Sequence, residues 1–178
     1  MHVQVNKWLG CLSLMAASCA NVLAADDDDF IAARDAYRAR DQKQLDRLVP
    51  NLQGHVLESY AQYWQIMAHI KEASAAEVRR FVSEFPDTPL AETLLGEWLR
   101  QQGQQKNWQA FDADFAKLKN PDTELSCFSL QARMADKDAD ALKEGRTFWL
   151  NGKPQPDSCQ PVFDAMMTQR VIMAPDVW

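Results

Sequence analysis

General-acid chemistry at neutral pH requires a carboxyl group whose pKa an apolar pocket has raised, and Glu58, Glu72, Glu77, Glu84, Glu92, Glu97 and Glu124 are candidates to supply it. All seven fall at helix caps or on the polar faces of helical segments, where water keeps a carboxylate ionised. His55 and His69 lie outside any His-x-x-x-His or Glu-x-x-His pattern, so a metal centre has no local scaffold. Asp26 to Asp29 is not followed by the glycine-turn loop of a calcium site. No Gly-x-Ser-x-Gly elbow or phosphate-cradling glycine loop occurs. These residues lead to an expectation of no catalytic residue, no cofactor and no metal.

The most distinctive spacing belongs to Cys127, Cys159 and the segment Phe148-Trp149-Leu150-Asn151-Gly152-Lys153-Pro154-Gln155-Pro156 between them. An apolar helix end runs into Gly152, which suits the left-handed residue that closes a helix, and two prolines then prevent continuation until Ser158 can cap the next helix. The two cysteines could staple the flanking helices. Residues 1–24 read as a secretory leader: a weakly positive start, an apolar stretch from Trp8 to Ala20, and a small-residue cleavage site at Val22-Leu23-Ala24. Removal of that leader leaves a domain of residues 25–178 in an oxidising compartment, where Cys127 and Cys159 are expected to pair. A competing reading takes Ala16-Ala17-Ser18-Cys19 as a lipobox, with Cys19 lipidated and the protein anchored to a membrane. Without that lipid no membrane association is expected.

The elements that must position these residues follow from apolar periodicity. Helices are expected over Phe30–Arg40, Lys43–Leu48 and His55–Lys71, the last placing Tyr60, Ala61, Trp64 and Met67 on one face. The Asp26 to Asp29 run would sit at the N-terminal end of the first helix, where the dipole favours it. Ser74 and Glu77 form a capping box for a helix that ends before Pro86. Thr88-Pro89 opens another that stops at Gly103, and a further segment starts at Asn107. Thr123–Met134, Asp138–Leu150 and Ser158 to about Arg170 complete the series.

A chain that is 47% hydrophobic and 10% aromatic, with only 6 glycines, is expected to be globular and all-α. Its formal charge of −6, with scattered basic residues, offers no footprint for nucleic acid and no attraction to anionic lipid. Short connections between successive helices require antiparallel neighbours, hence a string of α-hairpins. Composition and spacing leave open whether these hairpins stack into a solenoid or close into a compact bundle, and no fixed 34-residue consensus fits them.

Three motifs resemble one known family. Thr123-Glu124-Leu125-x-Cys127, Trp149-Leu150-x-Gly152-Lys153-x-Gln155-Pro156 and Cys159-x-x-Val162-Phe163 are similar to the N-terminal helical region of the soluble lytic murein transglycosylases. The resemblance extends more loosely from about Phe30 to Trp178. It implies a curved, tetratricopeptide-like superhelix, left incomplete at the C-terminus, that forms the front part of a larger periplasmic enzyme. That enzyme class cleaves the glycan strands of peptidoglycan to 1,6-anhydromuramyl ends in cell-wall turnover. Its catalytic glutamate lies in a lysozyme-like domain, within a Glu-Ser motif. Glu58-Ser59 matches the letters but sits in an amphipathic helix, so no catalytic residue carries over. Cys127 and Cys159 match the family's cysteine pair, and Trp149, Gly152, Lys153, Gln155 and Pro156 match its turn. The implied role is a non-catalytic segment acting on glycan through its parent enzyme. The alternative is a free-standing periplasmic helical-repeat module that binds other proteins.

Overall fold

A computed structural model describes residues 20–173. The leader and lipobox residues up to Cys19, and Pro175, lie outside the described residues. Within them the protein is all-α: α1 (Ala20–Ala39), α2 (Gln42–Leu48), a 3₁₀ turn (Val49–Leu52), α3 (Glu58–Ala68), α4 (Ala75–Glu84), α5 (Pro89–Gln104), α6 (Trp108–Phe115), α7 (Thr123–Ala135), α8 (Ala141–Trp149), a second 3₁₀ turn (Asp157–Cys159) and α9 (Gln160–Thr168).

The odd-numbered helices form a continuous row, α1 against α3, α3 against α5, α5 against α7 and α7 against α9. Each even-numbered helix wedges against the two odd ones beside it, while the backbones of α2 and α4, α4 and α6, and α6 and α8 stand farther apart, α4 and α6 being bridged by the Arg79–Asp114 ion pair. A double row closed on one side and splayed on the other bends toward the closed side. The hairpins therefore stack as a curved superhelix rather than a bundle around one centre. Three apolar clusters lie along it: Ala33, Ala36, Leu45, Leu52 and Ala61 at the start; Val78, Phe81, Leu94, Trp98, Leu99, Phe111, Leu125 and Phe128 in the middle; and Leu130, Leu142, Val162, Phe163 and Met166 with the two cysteines at the end.

A repeat hidden in the amino-acid sequence becomes visible at the helix exits. Arg40, Lys106, Lys137 and Arg170 all have positive φ, between 56° and 63°, and all follow odd helices. The N–H groups of Lys106 and Asn107 return to the carbonyls of Gly103 and Gln102, and the pairs after α1, α7 and α9 do the same, which is a Schellman closure each time. Lys106 lies 66 positions after Arg40, Lys137 31 after Lys106, and Arg170 33 after Lys137. A cation occupies the residue usually given to glycine, where it faces the negative end of the helix dipole.

Several expectations change. Gly103 does not end its helix: it is buried in the last turn of α5, where an added Cβ would come within 2.5 Å of the Phe128 ring, so it serves the close approach of α5 to α7. The acidic run Asp26 to Asp29 lies inside α1 rather than ahead of it, because that helix starts at Ala20; Asp29 accepts from Asn51 Nδ2 at 3.0 Å, and Asp27 meets His55 Nε2 at 3.1 Å. Ser74 caps α4 through the Glu77 N–H at 3.2 Å, but the Glu77 carboxylate turns to His69 Nε2 instead of closing the capping box. Ser158 caps nothing and instead donates to the Glu124 carbonyl at 3.2 Å.

Candidate functional site

Cys127 on α7 and Cys159 at the entrance to α9 are fully buried and joined in a disulfide, with Cα atoms 4.9 Å apart. Two hydrogen bonds run beside it: Ser158 Oγ to the Glu124 carbonyl, and the buried Gln131 Nε2 to the Ser158 carbonyl at 2.6 Å. The entrance of α9 is thus fixed to α7 at adjacent points, which sets where the preceding turn must pass.

That turn is built on Asn151 and Gly152. With φ at 69°, Gly152 adopts the left-handed conformation that a side chain would strain, although open space surrounds its Cα. Asn151 Oδ1 accepts from the Lys153 N–H and from Gln155 Nε2, both at 2.8 Å, and Gln155 Nε2 also reaches the Lys153 carbonyl at 2.8 Å. An asparagine that ties its own turn in this way replaces the missing helical bonds while the prolines prevent helix from resuming. Trp149, at the last turn of α8, packs edge-to-face on the buried Phe163 of α9, with ring centres 5.0 Å apart.

These residues enclose a cavity of about 410 Å³ lined by Trp149, Lys153, Gln155, Pro156, Asp157, Gln160 and Phe163. Four of the five turn residues singled out by sequence line it; Gly152 shapes the turn without lining the cavity. Sequence reasoning overlooked Asp157 and Gln160. Their signal was the three-residue spacing of Asp157, Gln160 and Phe163, which places all three on one side of the helical stretch that starts at the second 3₁₀ turn. Gln160 Nε2 donates to Asp164 at 2.8 Å, which leaves its oxygen directed by a fixed amide.

Five of the seven candidate acids serve as structural acceptors, and Glu72 and Glu84 are exposed. Glu58 takes the Gly54 N–H at 2.7 Å and Gln62 Nε2 at 2.8 Å. Glu92 takes the N–H groups of Lys119 and Asn120, each at 2.9 Å, and so holds the loop before α7. Glu97 and Glu124 receive Arg100, which also pairs with Asp122, and Glu77 is bound to His69. None of the seven glutamates is buried.

Among the described residues the buried carboxylate is Asp114, 1% exposed, held by Arg79 Nε at 2.8 and 3.0 Å and by Lys117 Nζ at 2.5 Å. Burial alone would raise its pKa, but the hydrogen bonds and charges of Arg79 and Lys117 outweigh that and hold it below the usual carboxylate range. Fixed as the anion, it locks α4 to α6 and cannot act as an acid. Among the described residues no group of three or more His, Cys, Asp or Glu side chains converges as a metal site, and no helix is long and apolar enough to cross a membrane.

Comparison with known proteins agrees with this architecture. No family model matches the chain. The soluble lytic murein transglycosylase of Escherichia coli K12 is 25% identical over 153 residues, 85% of this chain and 24% of that protein. The soluble lytic murein transglycosylase of Salmonella typhimurium LT2 is 26% identical over 145 residues, 81% of this chain and 22% of that protein. Among solved structures, the 70-kDa soluble lytic transglycosylase of Escherichia coli superposes with a TM-score of 0.75 at 23% identity over 86% of this chain and 25% of that one. An inactive mutant of the Pseudomonas aeruginosa lytic transglycosylase Slt superposes at 0.73 with 26% identity over 84% of this chain and 24% of that one. The chain spans about a quarter of the length of the curated relatives it matches. Over that quarter it is a homologue of the soluble lytic murein transglycosylases, an all-α superhelix consistent with the N-terminal region of that family.

Proposed function

We propose that this chain is a non-catalytic superhelical segment of a periplasmic soluble lytic transglycosylase, and that it positions or confines the glycan strand while bond cleavage takes place elsewhere. The observation that carries the reading is the match along most of this chain to a helical quarter of the relatives, together with candidate acids engaged as loop and helix ties. A carboxyl that must donate a proton at neutral pH needs an apolar surrounding, whereas Glu58, Glu77, Glu92, Glu97 and Glu124 are bonded to backbone N–H groups, Gln62, His69 or Arg100, and Glu72 and Glu84 are exposed. The parent enzyme would cleave peptidoglycan glycan strands to 1,6-anhydromuramyl products in cell-wall turnover. The leader over residues 1–24 would deliver the protein to the periplasm, where the buried disulfide persists.

A zymogram on purified peptidoglycan tests the assignment. The chain alone should leave the murein intact, and clearing of the gel would overturn the non-catalytic role. Sedimentation with purified sacculi tests glycan association separately: the chain should appear in the pellet.

A further inference from the structure

The cavity beneath the Asn151-Gly152 turn does more than close a helix. We infer that it is a saccharide-binding subsite, in which Trp149 supplies an apolar platform for a pyranose ring and Lys153, Gln155, Asp157 and Gln160 bond the polar groups at its rim. The inference rests on the proposed association of this segment with glycan and names the place where that contact is made.

Three observations carry it. The first is shape: about 410 Å³ lies within the range of small-ligand sites, and the walls come from three separate pieces of chain, the end of α8, the turn and the start of α9. The second is chemistry. A sugar presents C–H groups on its ring faces and hydroxyl or acetamido groups around its edge, so it needs an aromatic platform with a polar surround. The cavity between Pro86 and Asn120, lined by Val82, Ala91 and Leu95, has no aromatic ring, and the groove at Gln53, Gln62 and Arg80 has none either; the cavity at Tyr37, Arg38, Arg40 and Gln42 has one ring but a single amide beside it. The turn cavity combines both features, and its two glutamine amides complement the acetamido groups of an N-acetylated glycan.

The third is rigidity. Phe163 holds Trp149 edge-on, Asn151 fixes Gln155 from behind, and the disulfide and the Gln131 bond fix the far wall. Side chains ordered before the ligand arrives lose little freedom when it binds, so a shallow site can hold a weakly recognised polymer at many points.

The test is titration of the full chain with tetra-N-acetylchitotetraose, followed by isothermal calorimetry and by the indole N–H resonance of Trp149. Saturable binding should shift that resonance, and Trp149→Ala should weaken binding at least tenfold. Gln160→Ala and Lys153→Gln change exposed residues without touching the disulfide or the Phe163 contact; each should weaken binding about threefold while leaving the thermal midpoint unchanged. Absence of binding, or binding that none of the three variants alters, would overturn the subsite. Sedimentation with sacculi separates this from the broader reading. A chain that pellets with sacculi but fails to bind the tetrasaccharide refutes the subsite alone. One that binds the tetrasaccharide through Trp149 but stays in the supernatant sustains the subsite and refutes the glycan-positioning role.

Discussion

Asp114 shows how one buried charge is tolerated and what removing its partners should do. Its folded-state pKa is depressed, so the stability it contributes is fully present above the ordinary carboxylate range of about 4 and is lost as pH falls through the lower folded value. Denaturant midpoints measured at pH 7, 5 and 3 should therefore fall steeply at the last step, and Asp114→Asn should flatten that acid limb. Arg79→Ala leaves the buried anion with Lys117 alone and should lower the denaturant midpoint at pH 7. The two glycine environments make a second contrast. Gly103→Ala pushes a methyl into the Phe128 ring and should cost about 1–3 kcal/mol by overpacking. Gly152→Ala meets open space, so its cost is the backbone strain of the left-handed region, about 1–2 kcal/mol. Urea unfolding of both variants, with Phe128→Leu added to each, distinguishes the two mechanisms, because only the Gly103 variant should recover.

The helices obey local rules at some ends and override them at others. Asp41, Ser74, Thr88 and Asp122 each accept a hydrogen bond from a backbone N–H in the first turn of the following helix; all four starts were legible to within a residue, but only Ser74 and Thr88 were legible as caps. The exits were harder to read. Glycine was the expected stop, yet the left-handed residues after α1, α5, α7 and α9 are Arg40, Lys106, Lys137 and Arg170, so the recurrence near 33 residues stayed hidden behind an unusual residue type. Substituting glycine at such a position should relieve strain: Lys137→Gly is expected to stabilise by about 0.5–1 kcal/mol, read as a raised thermal midpoint. The turn cavity was half legible. Trp149, Lys153, Gln155 and Pro156 stand together as a motif in the sequence, whereas Asp157 and Gln160 belong with them only because α9 turns them toward the same space. Ser158 looked like a cap because it follows two prolines. The nearness of α7, which no local pattern reveals, gives it the Glu124 carbonyl instead.

On the scale of the whole molecule, three apolar clusters in a row imply that the two ends should open independently. Hydrogen exchange should be slowest in α5 and α7, which carry most of the central cluster. Reduction of the disulfide should speed exchange in α8 and α9 and leave α1 to α3 unchanged. Cys127→Ala with Cys159→Ala should cost about 3–4 kcal/mol on the loop-entropy account, as a shift in the urea midpoint that added reductant reproduces in the parent chain. Thiol titration of the denatured, unreduced protein should find neither residue reactive; two free thiols from this pair would contradict the linkage.

The linkage between Cys127 and Cys159 also has a mechanical side. It connects α7 directly to the entrance of α9, so a force applied along the superhelix passes through the sulfur atoms and bypasses α8 and the turn. A pull that unravels the rest of the chain would leave the loop between the two cysteines, a sequence separation of 32, slack, and full extension would fall short by about 110 Å. The turn from Trp149 to Asp157, lying within the bypassed loop, would carry none of that load, whereas Gln160 and Phe163 on the opposite wall of the cavity stand on α9, beyond the linkage.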